Sequence, residues 1–217
     1  MERVSPPLSR FADRLQAVRS EIIAAGRDPG EVTIVGVTKT RSVAGVEEAL
    51  GAGLAVLAEN RVAEGLLRRQ QFPSARWHLI GHLQSNKARL AAGSFDLLQS
   101  VDSERLAEMI AGHAPGQEIL IQVNISREDA KHGCPPEAAT QLCRAVAGFL
   151  PLQGLMGIAP LEGDPTLAFD LLARLHLEAQ QVTGRPLPVL SMGMSGDYRA
   201  ALRAGSTMLR LGRVLFG

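Results

Sequence analysis

Lys39 stands two residues beyond an apolar, largely β-branched run. The run is Val32-Thr33-Ile34-Val35-Gly36-Val37, and Thr38-Lys39-Thr40-Arg41-Ser42 follows it. Side chains alternate along a strand, so Val35, Val37 and Lys39 share one face. If that face lines an enclosed space, burial disfavours the ammonium and lowers its pKa. A neutral amine attacks aldehydes and forms a Schiff base. A lysine after a strand is otherwise an ordinary solvated charge, so Lys39 needs partners to be read as more.

Those partners stand near the other end of the sequence. Leu190-Ser191-Met192-Gly193-Met194-Ser195-Gly196-Asp197 carries a strand-like run into a glycine turn, and the helix-forming DYRAAL follows. Backbone N–H groups at that helix start, with the Ser195 hydroxyl, suit an anion. Arg210-Leu211-Gly212-Arg213 offers a second glycine, where backbone can approach a ligand closely. Ser195 alone could equally be a helix cap; the two loops together favour a phosphate. Arg210 falls inside its strand, where a guanidinium is costly without a partner. An aromatic nitrogen acceptor would serve, and so would a carboxylate such as Asp102 or Glu59. His78 and His82 are four apart, roughly 13 Å along a strand at ~3.3 Å per residue, too far to share one ion. His113, His132 and His176 add no ligand spacing, so no metal site is expected. His82, close to a strand end, is placed to touch a ligand, and His78 to satisfy hydrogen bonds in the core.

Positioning these residues takes a repeating architecture. Strand-like runs at 32–37, 54–60, 76–83, 95–102, 118–126, 152–160, 187–195 and 206–217 alternate with helical patterns, after an opening helix at 8–26. Strict alternation implies parallel strands with right-handed crossovers. Eight units of roughly 27 residues fit a single (β/α)8 TIM-type barrel spanning 1–217, with an additional N-terminal helix. The alternative, a doubly wound open sheet, is disfavoured because no G-x-G-x-x-G follows the first strand. In such a barrel, chemistry sits at the C-terminal strand ends, and the loops after strands 7 and 8 are the usual phosphate site.

Bulk properties narrow the function. The chain has 217 residues, 46% hydrophobic and 21% charged, with a net charge of +1. That balance argues against a nucleic-acid groove. No run reaches the ~18 apolar residues of a membrane span. The opening MERVSPPLSR does not read as a secretory signal. Cys134 and Cys143 form neither a disulfide framework nor a zinc pattern. A reduced, cytoplasmic setting is expected. A Schiff-base lysine opposite a phosphate cradle fits pyridoxal 5′-phosphate (PLP), and also a sugar-phosphate aldolase; an arginine facing a pyridine nitrogen favours PLP.

The segments VTKT, AENRVAE, WHLIGHLQSNK, SVDS, IQVNIS, GLMGIAP, LSMGMSGDY and LRLGRVLFG, in this order, resemble the pyridoxal phosphate homeostasis protein family. The resemblance runs from about residue 32 to 217. It implies a single-domain PLP-binding barrel similar to the N-terminal domain of alanine racemase. Residue by residue, it makes Lys39 the Schiff-base lysine and sets Asn60 beside the cofactor. It puts Met194 and Ser195 on the phosphate side, Arg210 against the pyridine nitrogen, and the backbone amides of Gly212 and Arg213 on the phosphate. The family's GEN is AEN here, with Ala58, and Arg213 replaces a small hydroxyl residue. The implied function is to hold PLP in vitamin B6 homeostasis without strong turnover, as a monomer, with apo PLP-dependent enzymes as recipients. The alternative is an amino-acid racemase or decarboxylase. Against it, an arginine facing the pyridine nitrogen disfavours its protonation and weakens the ring as an electron sink.

Overall fold

A computed structural model describes residues 10–128 and 131–217. Eight parallel strands close in sequence order, the first pairing with both the second and the eighth. They are β1 (Thr33–Val37), β2 (Val56–Glu59), β3 (Arg76–Leu79), β4 (Leu97–Val101), β5 (Ile119–Val123), β6 (Leu152–Gly157), β7 (Val189–Ser191) and β8 (Met208–Leu211). The expected (β/α)8 barrel is the fold found. Each strand is shorter than its apolar run, because the barrel wall ends where the chain turns into the next loop. The largest difference is at the last run, 206–217. There Gly212, at φ −109° and ψ −85°, breaks the strand, and a short helix follows.

Around the barrel lie α1 (Arg10–Ala24), α2 (Val43–Gly51), α3 (Val62–Gln71), α4 (Ala88–Ala91), α5 (Glu104–His113), α6 (Ala139–Val146), α7 (Thr166–Thr183), α8 (Tyr198–Arg203) and α9 (Arg213–Phe216). The additional N-terminal helix is α1; its expected opening at Leu8 and Ser9 lies outside the described residues. It buries Phe11, Leu15, Val18 and Ile22, a spacing of four, three and four that draws one apolar stripe. Each such side chain contributes about 1.5–3 kcal/mol when fully buried. The stripe packs beside α2, α8 and α9, with the Phe11 and Phe216 rings 5.0 Å apart. Local chemistry sets the helix ends. Ser42 caps α2 by accepting from Gly45 N–H at 3.2 Å, and Ser103 caps α5 from Leu106 N–H at 3.4 Å. Gly184, at φ 66°, ends α7 in the left-handed conformation.

Alternation along the strands divides the apolar side chains into two cores. Outward-facing residues such as Leu57, Trp77 and Leu209 pack beneath the helices. Val35, Ala58, Leu97, Leu120, Met156 and Met208 point inward and plug the barrel. Above the plug, the C-terminal ends of the strands form the mouth of the barrel.

Candidate active site at the barrel mouth

At that mouth lies a cavity of about 660 Å³, within the usual range of small-molecule sites. Lys39, Asn60, Met194, Ser195, Arg210, Gly212 and Arg213 all line it. Seven of the eight residues singled out in the sequence therefore converge on one space, although they come from four strands.

Lys39 reaches the cavity differently from expectation. Val35 is fully buried, Val37 half-buried and Lys39 exposed, so one face of the chain climbs from the plug to the rim. The expected burial of the amine is not found, because β1 ends at Val37 and the chain then turns. Thr38 N–H still donates to Ala58 C=O at 3.0 Å, and Arg41 N–H closes the turn on Thr38 C=O at 2.9 Å. Thr40 takes the left-handed conformation, φ 63°. Arg68 on α3 donates to Arg41 C=O and braces the turn from outside. Beneath it the Thr38 hydroxyl meets buried Glu59 Oε1 at 2.6 Å. Desolvation holds the Glu59 carboxyl above the ordinary range, against the opposite pull of the Thr38 hydrogen bond and the charge of Arg68.

Asn60 follows at the end of β2. Its Oδ1 is buried and meets no hydrogen-bond donor among the described residues. Such an atom calls for a partner that the protein itself does not supply. The Asn60 backbone is pressed by the next loop: a Cβ on Gly81 would stand 2.0 Å from Asn60 O, so only glycine fits there.

The anion corner is built from two loops held by one hydroxyl. Ser195 Oγ accepts from Gly212 N–H and from Val214 N–H, each at 3.2 Å. Its own hydrogen is left to be donated into the cavity. Asp197 closes the other side of the loop, accepting from Met194 N–H at 2.5 Å. Sequence reasoning gave that carboxylate no role, and its task is to stiffen the turn. Gly193, at φ 96°, sits where a Cβ would come within 2.7 Å of Ala201 Cβ. The guanidinium of Arg213 is exposed at the rim.

Arg210 forms the floor. Nη1 donates to Ser191 Oγ at 2.7 Å and Nη2 to Gly157 C=O at 2.9 Å. The carboxylate alternatives are not its partners: Glu59 turns to Thr38, and Asp102 lies 3.8 Å from His82 Nδ1. Burial pushes the guanidinium down to about 10, and the charge of Asp197 acts in the opposite sense. It remains a cation at neutral pH.

His82 is the exception. β3 ends at Leu79, and Ser100 Oγ holds Gly81 C=O at 2.6 Å. The turn carries His82 off the strand. Its ring stacks on His132 at 3.8 Å, and it lines a neighbouring cavity of about 420 Å³ instead. Asn60 borders both cavities. Among the described residues no group of three or more His, Cys, Asp or Glu could hold a metal ion.

Comparison with known proteins identifies the family. Residues 8–217 match the family model of the alanine racemase N-terminal domain. The pyridoxal phosphate homeostasis protein of Escherichia coli is 36% identical, the alignment covering 97% of each chain. That of Pseudomonas aeruginosa is 37% identical over 100% of this chain and 96% of its own. Among solved structures, PipY of Synechococcus elongatus without PLP superposes with a TM-score of 0.87 at 34% identity, covering 96% of this chain and all of its own. A second structure of PipY has PLP bound, with a TM-score of 0.83. Alanine racemase from Corynebacterium glutamicum, at 13% identity and a TM-score of 0.78, shares the fold, and the match takes in 61% of its chain. By the family model and by these relatives, the chain belongs to the pyridoxal phosphate homeostasis protein family, built on the alanine racemase N-terminal domain.

Proposed function

We propose that this cavity binds PLP and that the protein holds and hands over the cofactor within vitamin B6 homeostasis, with little turnover of its own. One observation carries the reading: an accessible amine, a donor-built anion corner and a buried cation converge on one cavity of about 660 Å³. The cofactor supplies an electrophilic aldehyde, a phosphate and a pyridine nitrogen, and the residues present fit each of these. Lys39 Nζ is the amine that meets the aldehyde. The Ser195 hydroxyl and the backbone of Arg213 receive the phosphate, while Gly212 N–H is engaged by Ser195 Oγ. Asn60, with its orphaned Oδ1, offers an acceptor beside the ring. Arg210 presents its remaining N–H groups to the ring nitrogen.

The same geometry favours holding over turnover. Among the described residues Arg210 is anchored to neutral acceptors, so its charge faces the ring and disfavours protonation of the nitrogen. An unprotonated ring is a weaker electron sink. The exposed rim at Lys39 admits water and amines, which suits release. The proposal includes a monomeric holder in the cytoplasm and apo PLP-dependent enzymes as recipients. Among the described residues no helix is long and apolar enough to cross a membrane.

The test is to incubate cofactor-loaded protein with L- and D-amino acids in deuterated water. Racemisation, decarboxylation and α-deuterium exchange are followed beside PLP transfer to an apo-enzyme. Transfer without sustained exchange is expected; turnover on the order of 1 s⁻¹ or faster would restore the racemase or decarboxylase reading.

A further inference from the structure

Beneath the cavity, polar side chains run through the barrel interior where the plug is otherwise apolar. Gln99 and Ser191 are fully buried, and His78 and Arg210 are 2% and 3% exposed. Arg210 Nη1 donates to Ser191 Oγ at 2.7 Å. Ser191 Oγ lies 2.7 Å from Gln99 Oε1. Gln99 Nε2 lies 3.0 Å from His78 Nδ1 and 3.2 Å from Met208 Sδ. The line passes from β8 through β7 and β4 to β3.

Donor and acceptor valences fix the hydrogens along it. A guanidinium only donates, so Ser191 Oγ accepts there, and its single hydrogen must go to Gln99 Oε1. The amide so turned presents its nitrogen, which only donates, to His78. Nδ1 is then the bare nitrogen and Nε2 carries the hydrogen. Half a turn of the amide would leave the buried Ser191 hydrogen facing a donor, an expensive arrangement in a dry interior. An imidazolium would likewise set two donors against each other at 3.0 Å. Burial, helped by the charge of Arg76 and opposed by that of Asp96, pushes His78 down to about 4 and works in the same direction. His78 Nε2 meets no acceptor among the described residues, so the tautomer is set from the Gln99 side alone.

We infer that Ser191, Gln99 and His78 are positioning residues: a one-way chain of hydrogen bonds that locks the Arg210 guanidinium under the cavity and holds His78 as the neutral Nε2–H tautomer. Every link is neutral except the guanidinium. The chain therefore orients Arg210 without compensating its charge, as a carboxylate would. That it thereby governs the ring nitrogen of a bound pyridine rests on the function proposed above; the chain itself does not.

The first measurement needs no variant and no cofactor. Long-range ¹H–¹⁵N correlation of the histidine rings in the cofactor-free protein should show His78 Nδ1 without hydrogen and Nε2 with it, unchanged from pH 8 to pH 6. A hydrogen on Nδ1, or titration in that range, would overturn the chain. Gln99→Glu keeps the acceptor for Ser191 and turns the donor at His78 into an acceptor. It should move the hydrogen to Nδ1, and an unchanged ring spectrum would be equally fatal. Ser191→Ala cuts the chain next to Arg210. It should weaken PLP and phosphate-free pyridoxal alike, by about tenfold, because the loss is on the ring side. It should also shift the visible absorption of the bound cofactor. Unchanged affinities and spectrum would refute positioning. If His78 shows the expected tautomer while Lys39 takes up no PLP, the chain stands and the proposed function falls.

Discussion

Removing the Ser195 hydroxyl separates two jobs of one oxygen, one seen in the structure and one belonging to the function proposed above. Ser195 Oγ ties Gly212 N–H and Val214 N–H to the loop after β7, each at 3.2 Å. Two neutral hydrogen bonds at about 0.5–1.5 kcal/mol each put the stability loss of Ser195→Ala in the low single digits. The rim position lets water take over part of both bonds, which favours the lower end. A loss near 1 kcal/mol would lower the melting temperature by about 2–4 °C for a chain of this size. The second job is donation to phosphate, a hydrogen bond to a charged group worth about 1.5–3 kcal/mol. PLP affinity should therefore fall by about tenfold to a hundredfold. Pyridoxal, which lacks the phosphate, should bind almost as before. Equilibrium titration of the cofactor-free protein with both ligands, beside a thermal melt, reads both quantities. Equal losses for the two ligands would show that the mutation acts by loosening the loop, and the assignment of this corner to phosphate would be wrong.

Other outcomes follow from single residues. Lys39→Ala should abolish the visible chromophore and the covalent label left by borohydride; peptide mapping that places the label on Lys87 or Lys131 would refute the assignment. His78 is held down from 6.5 to about 4, so the unfolded chain binds more protons between those values. Its neutral burial is fully favourable above pH 6.5 and is lost as pH falls towards 4, a change of about 3 kcal/mol that urea titrations across this range should show and His78→Gln should remove. Gly193→Ala forces a Cβ to 2.7 Å from Ala201 at φ 96° and should cost about 1–3 kcal/mol in denaturant unfolding, since the Gly193 carbonyl also receives Arg210 N–H at 3.0 Å.

The barrel was legible because its signal repeats. Eight apolar runs separated by helical patterns leave little topological freedom, and a wrong boundary in one does not disturb the count. Residues at the mouth were legible where two local signals coincided: Lys39 with strand alternation, and Ser195 and Gly212 with glycine turns at strand ends. Boundaries were not, because an apolar run does not reveal where the wall stops and the loop begins. That error moved His82 off its strand and Lys39 from the interior to the rim. The partners of Arg210 were hidden for another reason. Gln99 and Ser191 are 92 positions apart, and only closure of the barrel brings them to 2.7 Å. Their one local trace is a polar residue in an otherwise apolar run, a trace shared by many surface positions. Likewise the Asp197 carboxylate reads as an ordinary helix start until its contact with Met194 N–H is seen.

The division between rigid and exposed groups at this mouth bears on what the site can do. Arg210 is a strand residue, buried and tied to two further strands, so the floor has one geometry. The corner proposed for phosphate comes from turns, but a hydroxyl and a carboxylate clamp it on both sides. Lys39 is exposed and lies beyond the end of its strand, although its turn is braced by Arg68 and by the Thr38–Glu59 pair. In the function proposed above, recognition falls to fixed groups and covalent attachment to a side chain that solvent can reach. An enzyme that stabilises a carbanion gains from excluding water and from a protonated ring. The proposed function asks for neither, and an accessible amine over a preformed cradle is what reversible capture of a reactive aldehyde requires.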